Sequence, residues 1–121
     1  MKRIAVILGH GDFPEGIKTA LETILGEQEE IIPVSNRKLS LKALTEMLAE
    51  IFKKNKNKEI FVFVDILGGS CGSAAAQARE NKKNIHIIGG VNLPMLVEFF
   101  WKKNIKGEEL IEKAKKGIRK I

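Results

Sequence analysis

Glu59-Ile60-Phe61-Val62-Phe63-Val64-Asp65 is apolar at every position between its two acidic ends. A strand with one wet face would alternate. This one does not, so it belongs at the centre of a sheet covered on both sides, the usual setting of parallel strands. Downstream, the glycine turn Gly68-Gly69-Ser70 leads into an alanine-rich helix through Ala74, Ala75, Ala76 and Ala78. A strand over Asn84 to Ile88 follows and is closed by Gly89-Gly90. Asn92 then caps a helix carrying Leu93, Leu96, Phe99 and Phe100. The last helix, from about Glu108 to Lys116, is acidic at its start and basic at its end, as the helix dipole favours.

Upstream of the central run, Ser40 caps a helix with Leu41, Leu44, Leu48, Ile51 and Phe52 on one face. Glu30 to Val34 reads as a strand, and Pro33 assigns it to a sheet edge or a strand end. The first strand is the branched apolar run Ile4-Ala5-Val6-Ile7-Leu8, closed by Gly9-His10-Gly11. In the helix that follows, Asp12 is placed as cap, Glu15 completes a capping box, and Pro14 is tolerated in the first turn. Phe13, Ile17, Leu21, Ile24 and Leu25 recur at helical spacing until Gly26 stops the run.

The order βαβαβαβα plus a terminal helix implies an α/β fold: a single-domain three-layer sandwich, residues 1–121, around an open, mainly parallel sheet in the order 2-1-3-4. The tail Gly117-Ile118-Arg119-Lys120-Ile121 is either a frayed helix end or a short fifth strand.

Composition narrows the function. With 44% hydrophobic and 30% charged residues, the 121-residue chain has the make-up of an ordinary globular domain. No apolar run approaches the ~20 residues needed to span a bilayer, and Ile4 to Leu8 is too short for a signal-peptide core. The expected location is cytoplasmic. The single cysteine, Cys71, excludes an internal disulfide and a finger-type zinc site. The net charge of +6 would suit nucleic acid or an acidic protein surface. However, the basic run Lys53 to Lys58 falls at a helix end and has no aromatic neighbours, so nucleic acid is not an expected partner.

In open parallel sheets, ligands sit beyond the carboxyl ends of the strands where the strand order reverses. Strands one and three are then neighbours, and His10 meets Asp65 across the switch point. A neutral imidazole is a competent nucleophile, and glycines on both sides let a bulky donor approach. The following helix points its N-terminus at the same place, which favours a phosphoryl group. A carboxylate at Asp65 would fix the ring tautomer and stabilise positive charge on it. Gly68, Gly69 and Ser70 supply a nest of N–H donors and a hydroxyl. His86 alternates with Ile85 and Ile87 on a strand, so a packed or hydrogen-bonded role is expected. Cys71, at a helix start, could have a lowered pKa, but a small buried residue is the preferred reading. Asn92, Pro94 and Met95 read as helix cap, first-turn proline and packing residue, or as a rim of the site.

Three segments carry a family resemblance: Ile7-Leu8-Gly9-His10-Gly11, Val64-Asp65-Ile66-Leu67-Gly68-Gly69-Ser70, and Gly90-Val91-Asn92-Leu93-Pro94-Met95-Leu96. In that order and spacing, over essentially the whole chain, they make it resemble the IIA component of the mannose-family (mannose–fructose–sorbose) sugar phosphotransferase system. The resemblance implies that His10 is phosphorylated through Nε2 and that Asp65 orients it. Gly11, Gly68, Gly69 and Ser70 would hold the phosphoryl group. Phosphorylated HPr would be the donor and a histidine of a IIB component the acceptor, with membrane IIC and IID components further along. No metal or other cofactor is implied. The family also forms homodimers in which a C-terminal strand is exchanged, and Ile118 to Ile121 occupies the place of that strand. The chain departs from the family at Cys71-Gly72-Ser73, where proline and then polar or aromatic residues are usual. The departure bears on the loop more than on His10.

Three other readings stay open from sequence. A dihydroxyacetone kinase phosphotransfer subunit shares the fold and the histidine. A regulatory IIA-like binding module would sense phosphorylation, but such modules sit in larger regulators. A dinucleotide-binding oxidoreductase is disfavoured, because Gly9-His10-Gly11-Asp12-Phe13-Pro14 lacks the full glycine fingerprint.

Overall fold

A computed structural model describes residues 2–121. The elements are β1 (Arg3–Gly9), α1 (Phe13–Leu25), β2 (Ile31–Ser35), α2 (Leu41–Lys54), β3 (Glu59–Val64), α3 (Ser70–Arg79), β4 (Ile85–Gly89), α4 (Leu93–Trp101) and α5 (Gly107–Lys116). The sheet order is β2-β1-β3-β4, and every pair is parallel. Both the topology and the edge position of the proline-bearing β2 agree with the sequence reading. The strand boundaries move by one residue: β2 ends at Ser35, β3 ends at Val64 and β4 ends at Gly89.

The period of two along β1 divides the core. Ile4, Val6 and Leu8 face α2 and α3 in one buried cluster, with Leu44, Leu48, Phe52, Ile60, Val62, Val64 and the alanines of α3. Ala5 and Ile7 face the other way, toward Leu21 of α1, Leu96 and Phe99 of α4, and Leu110 of α5. Small residues at Ala74, Ala75 and Ala78, all buried, bring α3 close to the sheet. Phe63 is fully buried on the opposite face, with its ring centroid 6.2 Å from that of Phe61 and 5.2 Å from that of Phe99. Two apolar residues assigned to helix faces, Ile24 and Leu41, lie exposed instead.

The amino end of the sheet is closed by Arg3. Its guanidinium lies 4.0 Å from the Phe99 ring centroid and donates to the carbonyls of Phe99, Lys102 and Ile105. It thereby satisfies carbonyls at the end of α4 that the helix cannot pair itself. His86 has the hydrogen-bonded role read from its strand: Nε2 lies 2.6 Å from Glu59 Oε2, and the ring leans on Phe61 at 4.7 Å.

Two of the three caps read from sequence hold. Ser40 Oγ accepts from Ala43 N, and Asn92 Oδ1 accepts from Met95 N. Asp12 is the exception. It stands at the N-cap position of α1 but makes no side-chain cap bond, because its carboxylate is 2.8 Å from Arg37 Nη1. The ion pair competes with the helix N-terminus for the same oxygens. At the other end, Gly117 ends α5 and residues 118–121 form no strand within the single chain.

Phe63→Ala should destabilise the fold by about 3–5 kcal/mol, the usual cost of emptying a buried aromatic site. Urea denaturation of both proteins at neutral pH measures this as a fall in midpoint with little change in slope.

Candidate functional site

The carboxyl ends of β1 and β3 lie side by side, Leu8 opposite Val64. His10 and Asp65 follow these strand ends, and Asp65 N still donates to Leu8 O at 3.0 Å. One carboxylate oxygen, Asp65 Oδ2, accepts from His10 N at 2.8 Å and lies 2.9 Å from His10 Nδ1. The other, Oδ1, accepts from Ile66 N at 2.8 Å. An ionised carboxylate can only accept, so Nδ1 carries the ring proton and Nε2 presents its lone pair. The His10 side chain is 49% exposed and that of Asp65 only 15%. The anchor is therefore sheltered and the ring is presented.

Asp65 titrates below the ordinary carboxylate range. Burial pushes its pKa up. The hydrogen bonds from His10 N, the His10 ring and Ile66 N, with the positive charge the ring can carry, outweigh that and hold it down.

The close approach requires a glycine. A Cβ on Gly9 would lie 2.8 Å from Asp65 Oδ2 and 2.9 Å from its Cγ. Three further bonds fix the His10 turn. Phe13 N donates to His10 O, Asn36 N to Gly9 O, and the Ser35 hydroxyl to Gly11 O. Gly11 takes φ +57°, the left-handed region.

On the β3 side, Gly68 and Gly69 both have φ +87°, and α3 begins at Ser70. The N-terminus of α3 thus opens at the same end of the sheet as His10, and its first N–H groups have no partner within the helix. Ser70 is half-buried at that first position, next to Cys71. Gly11 therefore lies in the His10 turn itself, and Gly68, Gly69 and Ser70 follow β3 at the same end of the sheet.

Cys71 is fully buried, as preferred from sequence, and its Sγ lies 4.0 Å from His10 Nδ1. The alternative of a lowered pKa does not hold. Burial and the Asp65 charge push the thiol up, against a smaller opposing effect of the Ser70 side chain. Asn92, Pro94 and Met95 take their structural readings. Asn92 caps α4 and its amide also donates to Ala114 O at 2.9 Å; Pro94 packs on Gly117, and Met95 is buried. The Gly89 turn supports the site from behind: a Cβ there would lie 2.2 Å from Leu67 Cγ, so Leu67 seats its side chain over the bare backbone.

The sequence reading missed the turn after β2. Ser35 and Arg37 reach the His10 turn from it, and the Arg37 guanidinium lies 3.4 Å from the place a Gly11 Cβ would occupy. The available signal was the strand order itself, which sets β2 beside β1.

A fully parallel sheet thus presents an exposed, carboxylate-anchored histidine at its switch point, with a ring nitrogen chemically able to act as a nucleophile. Residues 4–115 match the family model described as PTS system fructose IIA component. The chain belongs to this family of sugar phosphotransferase IIA components. It is 34% identical over 101 residues to the mannose-specific EIIAB component of Escherichia coli strain K12, a match covering 78% of the chain and 30% of that protein. It is 35% identical over 95 residues to the fructose-specific EIIA component of Bacillus subtilis, covering 77% of the chain and 65% of that protein. The chain thus spans less than a third of the first relative and about two thirds of the second. Its fold matches the crystal structure of a PTS IIA protein associated with the fucose utilization operon of Streptococcus pneumoniae, with a TM-score of 0.90 at 21% identity over 99% of this chain and 93% of that one. No helix is long and apolar enough to cross a membrane among the described residues.

A depressed carboxylate stabilises the fold at pH values above its unfolded pKa, and this contribution is lost as pH falls through the lower folded pKa. Asp65→Asn should therefore lose stability against the wild type at pH 7, and the gap should narrow as pH drops below about 4, the ordinary carboxylate value. Paired urea melts across that range would show it.

Proposed function

We propose that the chain is a phosphohistidine carrier in which His10 takes a phosphoryl group from phospho-HPr and delivers it to a histidine of a IIB component. The observation that carries this reading is the pair of hydrogen bonds from His10 to one oxygen of Asp65, which leaves Nε2 exposed with its lone pair. In the forward step, Nε2 attacks the phosphorus of the donor phosphoimidazole. The donor P–N bond breaks as the new one forms, and the donor ring leaves as a free imidazole. Positive charge grows on the His10 ring and is balanced by Asp65 through Nδ1–H. The N-terminus of α3, the Gly68-Gly69 turn and Ser70 supply donors for the phosphoryl oxygens, and Gly11 leaves room on the other side. Delivery to IIB is the same step in reverse, with no proton lost from the ring.

The unit of function is the whole chain, 1–121, acting in the cytoplasm upstream of the membrane IIC and IID components. A homodimer fits the open outer edge of β4, to which Ile118–Ile121 of a second copy can add a strand. Deleting residues 118–121 should then shift the chain to the mass of a monomer by light scattering.

Incubation with labelled phospho-HPr should phosphorylate wild-type protein on His10, giving an acid-labile, base-stable label that moves on to a IIB protein. His10→Ala should take up none. Asp65→Asn should slow uptake by at least about a hundred-fold. Absence of label on the wild type beside an active control carrier would overturn the reading.

A further inference from the structure

One ligand atom from each of His10, Asp65 and Cys71 lies within 4.8 Å of the other two. His10 Nδ1 lies 2.9 Å from Asp65 Oδ2 and 4.0 Å from Cys71 Sγ. A tetrahedral zinc ion with Zn–N and Zn–O bonds of about 2.05 Å and a Zn–S bond of about 2.3 Å would set these separations near 3.3 and 3.6 Å. The N···O and N···S separations thus need to change by about 0.4 Å each, and the third, from the Asp65 carboxylate to Cys71 Sγ, has to close from within 4.8 Å to about 3.6 Å. His10 sits on an exposed turn and adjusts by rotating its ring, and the Asp65 carboxylate, on the turn after β3, rotates toward the Cys71 thiol to close the third side.

We propose that His10, Asp65 and Cys71 form a binding site for a thiophilic divalent cation, zinc above all, and that an occupied site cannot accept a phosphoryl group. The donor set is one imidazole, one carboxylate and one thiolate, the kind of mixed N, O and S set that zinc takes. Three protein ligands leave the fourth tetrahedral position for water. The two charges of the cation cancel those of the Asp65 carboxylate and the Cys71 thiolate, so the loaded site is neutral.

The consequence for chemistry lies in the tautomer. The cation takes the Nδ1 lone pair, which requires the ring proton to sit on Nε2. The thiol proton of Cys71 goes to solvent. Nε2–H has no lone pair to offer, and the nucleophile is gone while the ring stays in place. Binding of the cation stands on geometry alone; its effect on phosphoryl transfer rests on the carrier reading above. Cys71 is the residue that makes the difference, since the Asp65–His10 pair alone offers too few ligands.

Cobalt(II) tests the site on the full chain, because thiolate-to-cobalt charge transfer absorbs in the near ultraviolet and the chain has a single thiol. Wild-type protein should give that band, zinc should abolish it, and His10→Ala should weaken cobalt binding by at least about ten-fold, the smaller effect of losing even a supporting partner. No band with wild type, or undiminished affinity in His10→Ala, overturns the site. Labelling by purified phospho-HPr then tests the consequence. Zinc should slow wild-type labelling at least about ten-fold and leave Cys71→Ser, with its melting temperature checked, labelling at its metal-free rate. Equal inhibition of both proteins overturns the proposal. Failure of metal-free wild type to label would instead overturn the carrier reading and leave the cobalt result standing.

Discussion

The structure turns on one oxygen atom. Asp65 Oδ2 receives both the main-chain N–H and the ring N–H of His10. Bonding to backbone and ring together fixes the turn and the imidazole as one body. A histidine on an exposed loop would ordinarily sample several rotamers and both tautomers; here each option is paid for in a lost charge-assisted bond. Two neighbouring parallel strands must end together for this to occur, and Gly9 must carry no side chain. The whole order β2-β1-β3-β4 can be read as the means of bringing those strand ends side by side.

The supports around that atom are of different kinds. Ser35 and Asn36 tie the His10 turn to the edge strand through hydrogen bonds. Leu67 ties the Asp65 turn to β4 by packing on Gly89. The first relies on polar groups in partial contact with water and the second on apolar contact. The outer face of the site is open, with the His10 side chain 49% exposed, so its rigidity comes from the adjoining strands. The Cys71 thiol, buried beneath the ring, closes the floor with a small side chain where a larger one would press on the imidazole.

Much of this was legible in the sequence. The unbroken apolar run of β3 declared a central parallel strand, Pro33 marked the edge, and Ser40 and Asn92 announced their caps. The meeting of His10 and Asp65 followed from strand order alone. What escaped had a common cause: it depended on partners distant in sequence and close in space. Asp12 has the chemistry of a helix cap, and only the position of Arg37 across the β2 turn draws its carboxylate away. The closeness of Cys71 to His10 depends on how tightly the alanines let α3 settle on the sheet. Ile24 matched the helical period of α1 yet falls beyond the edge of what the sheet covers.

Arg3 and Gly117 lie at opposite poles of the sheet. Arg3, where β1 starts, lies at the amino end of the sheet. Gly117 rests against Pro94 at the carboxyl end, where α4 begins and where His10 is presented. Seven residues of strand, about 23 Å, separate the poles. The chain beyond Gly117 therefore sets out from the reactive hemisphere, whereas Arg3 lies on the far one. A short flexible tether at the carboxyl terminus would present its cargo to the imidazole at millimolar effective concentration. The same tether at the amino terminus would first have to travel around the sheet.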